Sequence, residues 1–96
     1  MNFRYTDDVN GTCLRGYVRT TYSNLLKAFG SPNIGRGDKT TAEWGLKFED
    51  GTVATIYDWK EPLTPTEEYF WHVGGFNNRA VHRVCAVLGT MPEKYF

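Results

Sequence analysis

Glu43, Asp58 and His72 are the side chains best suited to acid–base chemistry. The two carboxylates flank a pair of alternating runs, residues 42–49 and 52–59, joined by Asp50-Gly51. A two-residue type I′ turn at Asp-Gly sets Glu43 directly opposite Asp58. Like charges across a ladder repel, so the pair suggests a metal site or a general acid with a raised pKa. With His72 it would make a small hydrolase. A lysine between the carboxylates (Lys39, Lys47 or Lys60), or strands that splay there, explains the pair without any function. Two carboxylates alone hold a metal poorly, and no metal is expected. His72 and His82 are the only histidines; neither stands in a Ser or Cys nucleophile motif, and a lone strand histidine reads first as structural.

A second constellation favours binding. The run Trp71-His72-Val73-Gly74-Gly75-Phe76-Asn77-Asn78-Arg79 passes from a strand through two glycines into a helix start. Free amides and the positive helix end suit phosphate or carboxylate, and Arg79 and Arg83 could add charged contacts. The plainer account is a tight turn followed by a solvated helix face. The loop 31–41 carries Gly35, Arg36, Gly37 and Lys39, and either folds over an anion or is a solvated connection. Tyr57 or Trp59 offers a surface on which a base could stack. Together Arg36, Lys39, Tyr57, Trp59, His72, Gly74, Gly75, Asn78 and Arg79 form the expected ligand-binding set. Neither GxGxxG nor a P-loop occurs, and no cofactor is implied.

These residues need elements to hold them. Tyr22, Leu25, Leu26 and Phe29 fall at i, i+3, i+4 and i+7, the stripe of a short helix that Thr21 caps and Gly30 ends. Val81, Val84, Cys85 and Leu88 repeat that spacing, with Asn77 as cap, Gly89 as left-handed terminator and a staple between Phe76 and Val81. Residues 2–6 and 13–19 predict an N-terminal hairpin around residues 7–11, and residues 68–73 a further strand. The type I′ register places Trp44, Leu46, Phe48, Val53, Thr55, Tyr57 and Trp59 on the core face. Glu43, Gly45, Lys47, Ala54, Ile56 and Asp58 fall on the other.

The chain of 96 residues allows one domain, residues 1–96. Eleven basic residues balance eleven acidic ones, so no net field gathers duplex nucleic acid or an anionic membrane. With 41% apolar and 16% aromatic residues, the chain is too hydrophobic for disorder. No apolar run spans a bilayer and the first residues lack the apolar stretch of a signal peptide, so a cytoplasmic location is expected. Cys13 and Cys85 show no CxxC spacing and read as small buried hydrophobes. The expected fold is α+β: an antiparallel sheet of four to five strands with two short helices packed on one face.

The segments Asp50-Gly51-Thr52-Val53-Ala54-Thr55-Ile56-Tyr57-Asp58-Trp59-Lys60 and Trp71-His72-Val73-Gly74-Gly75, with Ala42-Glu43-Trp44 and Gly16-Tyr17-Val18, resemble a group of small bacteriophage-encoded proteins of uncharacterised function. The likeness covers most of the chain apart from residues 2–11, and it carries no catalytic residues. It implies an accessory protein that disables a host system in the host cytoplasm. The leading expectation is a non-enzymatic protein that counters host defence by sequestering a nucleotide-type signalling molecule. Two alternatives stand beside it. One is a protein–protein inhibitor of a host defence enzyme, acting through an open sheet face bearing Ala54, Ile56 and Phe70, a face that could equally close a homodimer. The other is the small hydrolase above.

Overall fold

A computed structural model describes residues 2–95 and shows six strands and two helices. In chain order they are β1 (Phe3–Tyr5), β2 (Cys13–Thr20), α1 (Tyr22–Phe29), β3 (Glu43–Phe48), β4 (Val53–Tyr57), β5 (Tyr69–Gly75), α2 (Arg79–Leu88) and β6 (Lys94–Tyr95). All pair antiparallel in one open sheet of order β1-β3-β4-β5-β2-β6. The α+β architecture is as expected from the sequence, with the two-residue β6 added outside β2. No helix among the described residues is long and apolar enough to cross a membrane.

The helices form where local chemistry asks for them. Thr21 Oγ1 accepts from Asn24 N at 3.1 Å, and Gly30, at φ 78°, returns its N–H to Leu26 O. Leu25 and Phe29 are the buried residues of α1. Asn78 stands at the boundary of α2, yet the side chain that satisfies a first-turn amide is Asn77, whose Oδ1 accepts from Arg79 N at 2.9 Å. Gly89 ends α2 in the left-handed conformation. Phe76 is half exposed, with its ring edge over Gly11.

The expected N-terminal hairpin does not form. β1 pairs with β3, and β2 with β5. The reason lies in the rings of β1: Phe3 packs on Phe29 and Phe48 at centroid distances of 5.4 and 6.0 Å, and the Tyr5 hydroxyl donates to Phe29 O. β2, eight residues long, finds a partner of similar length in β5.

The central hairpin is slipped by one residue from the type I′ register. Phe48 N donates to Thr52 O at 2.8 Å and Gly51 N to Phe48 O at 2.9 Å, enclosing a three-residue loop with Gly51 at φ 88°. A type I′ turn needs positive φ at both central residues, and Asp50 does not adopt it. Asp50 instead accepts from Thr52 N through Oδ1 and pairs with Arg83 through Oδ2 at 2.7 Å, which suits a type I turn closed by a glycine bulge. Thr52 and then Arg83 hold the Asp50 carboxyl down to about 2.

Because side chains alternate, that one step reverses β4. Ala54 and Ile56 point to the core and are fully buried, whereas Val53, Thr55 and Tyr57 face away from the helices; Trp59 is 43% exposed. The core-face assignment of Val53, Thr55, Tyr57 and Trp59 is thus overturned, while that of Trp44, Leu46 and Phe48 holds. Glu43 lies opposite Tyr57, not Asp58. Trp44 and Trp71 meet edge to face at 5.8 Å in the centre of the core, with Val18, Val73, Val81 and Val84 around them. Cys85 is buried and its thiol is pushed up to about 11 by burial; Cys13 is exposed, against the expectation that both would be inside.

Candidate ligand site

On the helix-free face the pairings set Glu43, Tyr57, His72 and Tyr17 in one row across β3, β4, β5 and β2. The His72 ring lies 5.2 Å from Tyr57 and 4.8 Å from Tyr17. At the Glu43 end the face hollows into a cleft of about 210 Å³ lined by Thr40, Glu43, Thr55, Tyr57, Trp59 and Gly74, with residues 12–14 as its far wall. The Tyr57 and Trp59 rings stand 6.3 Å apart at 71°, two apolar walls near a right angle. Trp59 is fixed through its backbone, whose N–H donates to the Tyr69 hydroxyl at 3.1 Å. Gly74 is required here because Thr55 Oγ1 occupies the space where a Cβ would stand.

Thr40 also lines a second cleft of about 330 Å³, formed with Arg36, Asp38, Lys39, Lys60 and Glu61. The loop 31–41 that supplies the cations is more than a solvated connection. Asn33 Oδ1 accepts from Gly45 N at 2.9 Å, and Ile34 N donates to Glu43 O at 3.1 Å, so the loop covers the edge of β3 that short β1 leaves open. At its other end Thr41 N and Oγ1, with Ala42 N, donate to the buried Asp58 carboxylate. Lys60 lies at φ 57°, the one non-glycine residue with positive φ among those described, and its N–H donates to Lys39 O at 2.7 Å. A lysine in that region is strained. Its ammonium lies 6.0 Å from the Trp59 ring centroid, and its side chain lines the cationic cleft.

The structure therefore brings Arg36, Lys39, Tyr57, Trp59 and Gly74 around Thr40, with His72 next along the row. It does not bring Gly75, Asn78 and Arg79 to the same place. Gly74 and Gly75 close β5 and pair with strands on both sides, so their amides face ladder partners, not a bound anion. Gly75 lacks a Cβ where the Ala80 methyl packs, which lets α2 approach the sheet, and its carbonyl accepts from Arg15 Nε at 2.9 Å. Arg79 lines a separate hollow beside Asp50 and Asn77, and Arg83 is taken by Asp50. Gly75 pairs with Ala54, three residues before Tyr57, which is roughly 10 Å at the rise of a strand.

Glu43, Thr40 and Lys60 were absent from the expected set. The first was visible only as a neighbour of Asp58, and the other two are made adjacent by the loop. Asp58, named with Glu43 and His72 in the hydrolase alternative, is buried, and its carboxylate accepts from Thr41 and Ala42. Ala54 and Ile56 lie under the helices, so the apolar patch expected on the open face is reduced to Phe70, over which the Arg19 guanidinium sits at 5.7 Å.

Burial pushes the Glu43 carboxyl above its ordinary value. Burial also raises Tyr57, reinforced by Glu43, Tyr17 and Cys13, and it lowers His72. A raised carboxyl pKa means that the folded state favours the protonated acid. Its stabilising contribution is complete below the unfolded value near 4.5 and is lost as pH rises through the folded value. Glu43→Gln should therefore raise Tm at neutral pH and lose that advantage on acidification. Half-burial leaves the charge partly screened and holds the effect to about 0.5 kcal/mol, or about 2–4 °C. Thermal melts at neutral and acidic pH check it; a lower Tm at neutral pH would contradict the burial argument.

Protein-family models, curated proteins and solved structures were compared with the chain, and none matches.

Proposed function

We propose that this chain is a non-enzymatic binding protein for a nucleotide-type molecule, and that it acts as a phage accessory protein by sequestering such a signal from host defence. The observation that carries the binding proposal is the wall at Thr40, which lines both a cleft walled by Tyr57 and Trp59 and one that carries Arg36, Lys39 and Lys60. A nucleotide is an aromatic ring joined to an anion, and the two clefts match those halves. At about 210 and 330 Å³, each alone sits at or below the lower end of ordinary ligand pockets, roughly 300–1,000 Å³. A ligand that fills both suits the geometry better than one that fills either. The phage setting rests on the sequence resemblance alone.

Isothermal calorimetry with mononucleotides and with linear and cyclic dinucleotides tests the reading. Loss of one base-stacking ring is worth about 1–3 kcal/mol, so Trp59→Ala should weaken binding by about tenfold or more. Lys39→Ala should weaken it and flatten its dependence on salt. No heat with any nucleotide, from protein that melts cooperatively, rejects the proposal.

A further inference from the structure

We infer that the aromatic cleft selects guanine and that Glu43 is the residue that reads it. This inference rests on the nucleotide reading above and adds the identity of the base. The polarity of the two clefts fixes how a nucleotide must lie. Among the described residues no lysine or arginine lines the aromatic cleft, and Glu43 is its one carboxylate. A phosphate there would face an anion in partly desolvated surroundings, whereas the adjoining cleft offers Arg36, Lys39 and Lys60 against Asp38 and Glu61. The phosphate belongs with the cations, and the base lies in the corner made by the Tyr57 and Trp59 rings, stacked on Tyr57 with an edge towards Glu43.

A carboxylate only accepts hydrogen bonds, so the base that suits it must present donors. Guanine sets two adjacent donors, N1–H and the N2 amino group, on its pairing edge, at the spacing of two carboxylate oxygens. Adenine and cytosine each offer one amino group beside a bare ring nitrogen, whose lone pair would oppose the second oxygen. Uracil and thymine place one N–H between two carbonyls. No arginine or lysine pairs with Glu43 among the described residues, so the carboxylate is open to a ligand. The cross-strand register sets it beside Tyr57, the ring on which the base would stack.

Titrations of the intact protein with guanosine, inosine and adenosine monophosphates test this. Inosine differs from guanosine only in lacking the N2 amino group. Guanosine monophosphate should bind about tenfold more tightly than either competitor, the discrimination expected of a bidentate contact. Glu43→Gln, whose amide offers one donor and one acceptor, should remove most of that preference while adenosine monophosphate still binds. Equal affinities for the three, or a guanine preference that survives Glu43→Gln, overturns the assignment and leaves the nucleotide reading in place. Absence of binding by every nucleotide removes both. The comparison of guanosine with inosine is made on the unmodified chain, so it decides the question even should the variant fold poorly.

Discussion

Trp44→Ala is expected to remove about half of the stability of this domain and to lower its melting temperature by more than about 10 °C. Trp44 is fully buried, its ring lies 5.8 Å from Trp71 and 5.9 Å from Tyr22, and its Nε1–H donates to Gly30 O at 2.9 Å. The substitution therefore empties the middle of the core and leaves the carbonyl at the end of α1 without its donor. Removing a buried aromatic of this size costs about 3–5 kcal/mol, in a domain whose whole stability is on the order of 5–10 kcal/mol. Trp44→Phe keeps a ring in place but loses the hydrogen bond, and should cost less, about 2 kcal/mol. Circular dichroism melts and urea titrations of both variants are the measurement. An alanine variant that melts like the parent would mean that the layer between sheet and helices is not closed by Trp44.

Trp44 could be read from sequence because β3 alternates without ambiguity: Trp44, Leu46 and Phe48 against Glu43, Gly45 and Lys47. β4 has no such contrast. Val53, Thr55 and Tyr57 form as plausible an inner face as Ala54 and Ile56, so its orientation hangs on the length of the preceding turn. Asp-Gly serves a two-residue turn and a three-residue turn with a bulge equally well. The observed register buries Ala54 and Ile56, and its turn is held by the Asp50 carboxylate, which accepts from Thr52 N and pairs at 2.7 Å with Arg83, thirty-three positions away. Capping and stripes are local chemistry, and Thr21, Gly30 and Gly89 do what their types suggest. The pairing of β1 with β3 is decided by where Phe3 and Tyr5 find aromatic and carbonyl partners in α1, which no local pattern announces.

The site divides along the same line. Tyr57, Trp59, Arg36 and Lys39 were recognisable by type, as a flat ring for a base and cations for a phosphate. In the sequence Glu43 stands out only through a repulsion from Asp58, which the slipped register removes. Gly74-Gly75 looked like an exposed turn with free amides, yet both residues are strand positions whose missing Cβ atoms accommodate Thr55 and Ala80. Nothing in the type of Lys60 announces positive φ. That conformation accompanies the bond from its N–H to Lys39 O, and its ammonium lies 6.0 Å from the Trp59 ring centroid.

The loop has its own keystone, and Asp58→Ala is expected to damage both the fold and binding although Asp58 faces neither cleft. Its carboxylate is fully buried and accepts from Thr41 N at 2.7 Å, from Ala42 N at 3.3 Å and from the Thr41 hydroxyl, which also meets Thr64 Oγ1 at 2.6 Å. One side chain thus joins the end of the cationic loop, the start of β3, the exit of β4 and the segment that follows. Alanine leaves two backbone N–H groups and a hydroxyl without their acceptor. Each buried donor left unpaired costs about 1–3 kcal/mol; the two Thr41 donors are only partly buried and can be met by water, so the total should be about 3–5 kcal/mol, near the low end for three groups. Asp58→Asn keeps one acceptor oxygen and should cost roughly half as much. Thr41 adjoins Thr40, which lines both clefts, and Lys39 is two residues before Thr41 and bonded to Lys60. Nucleotide affinity should therefore fall about tenfold in Asp58→Ala at a temperature where it remains folded, with the cations at Arg36, Lys39 and Lys60 still present but no longer held together. Melts and calorimetry on the same preparation separate the two effects. Lost stability with unchanged affinity would show that the loop keeps its shape without Asp58, and that the cationic cleft does not depend on this clasp.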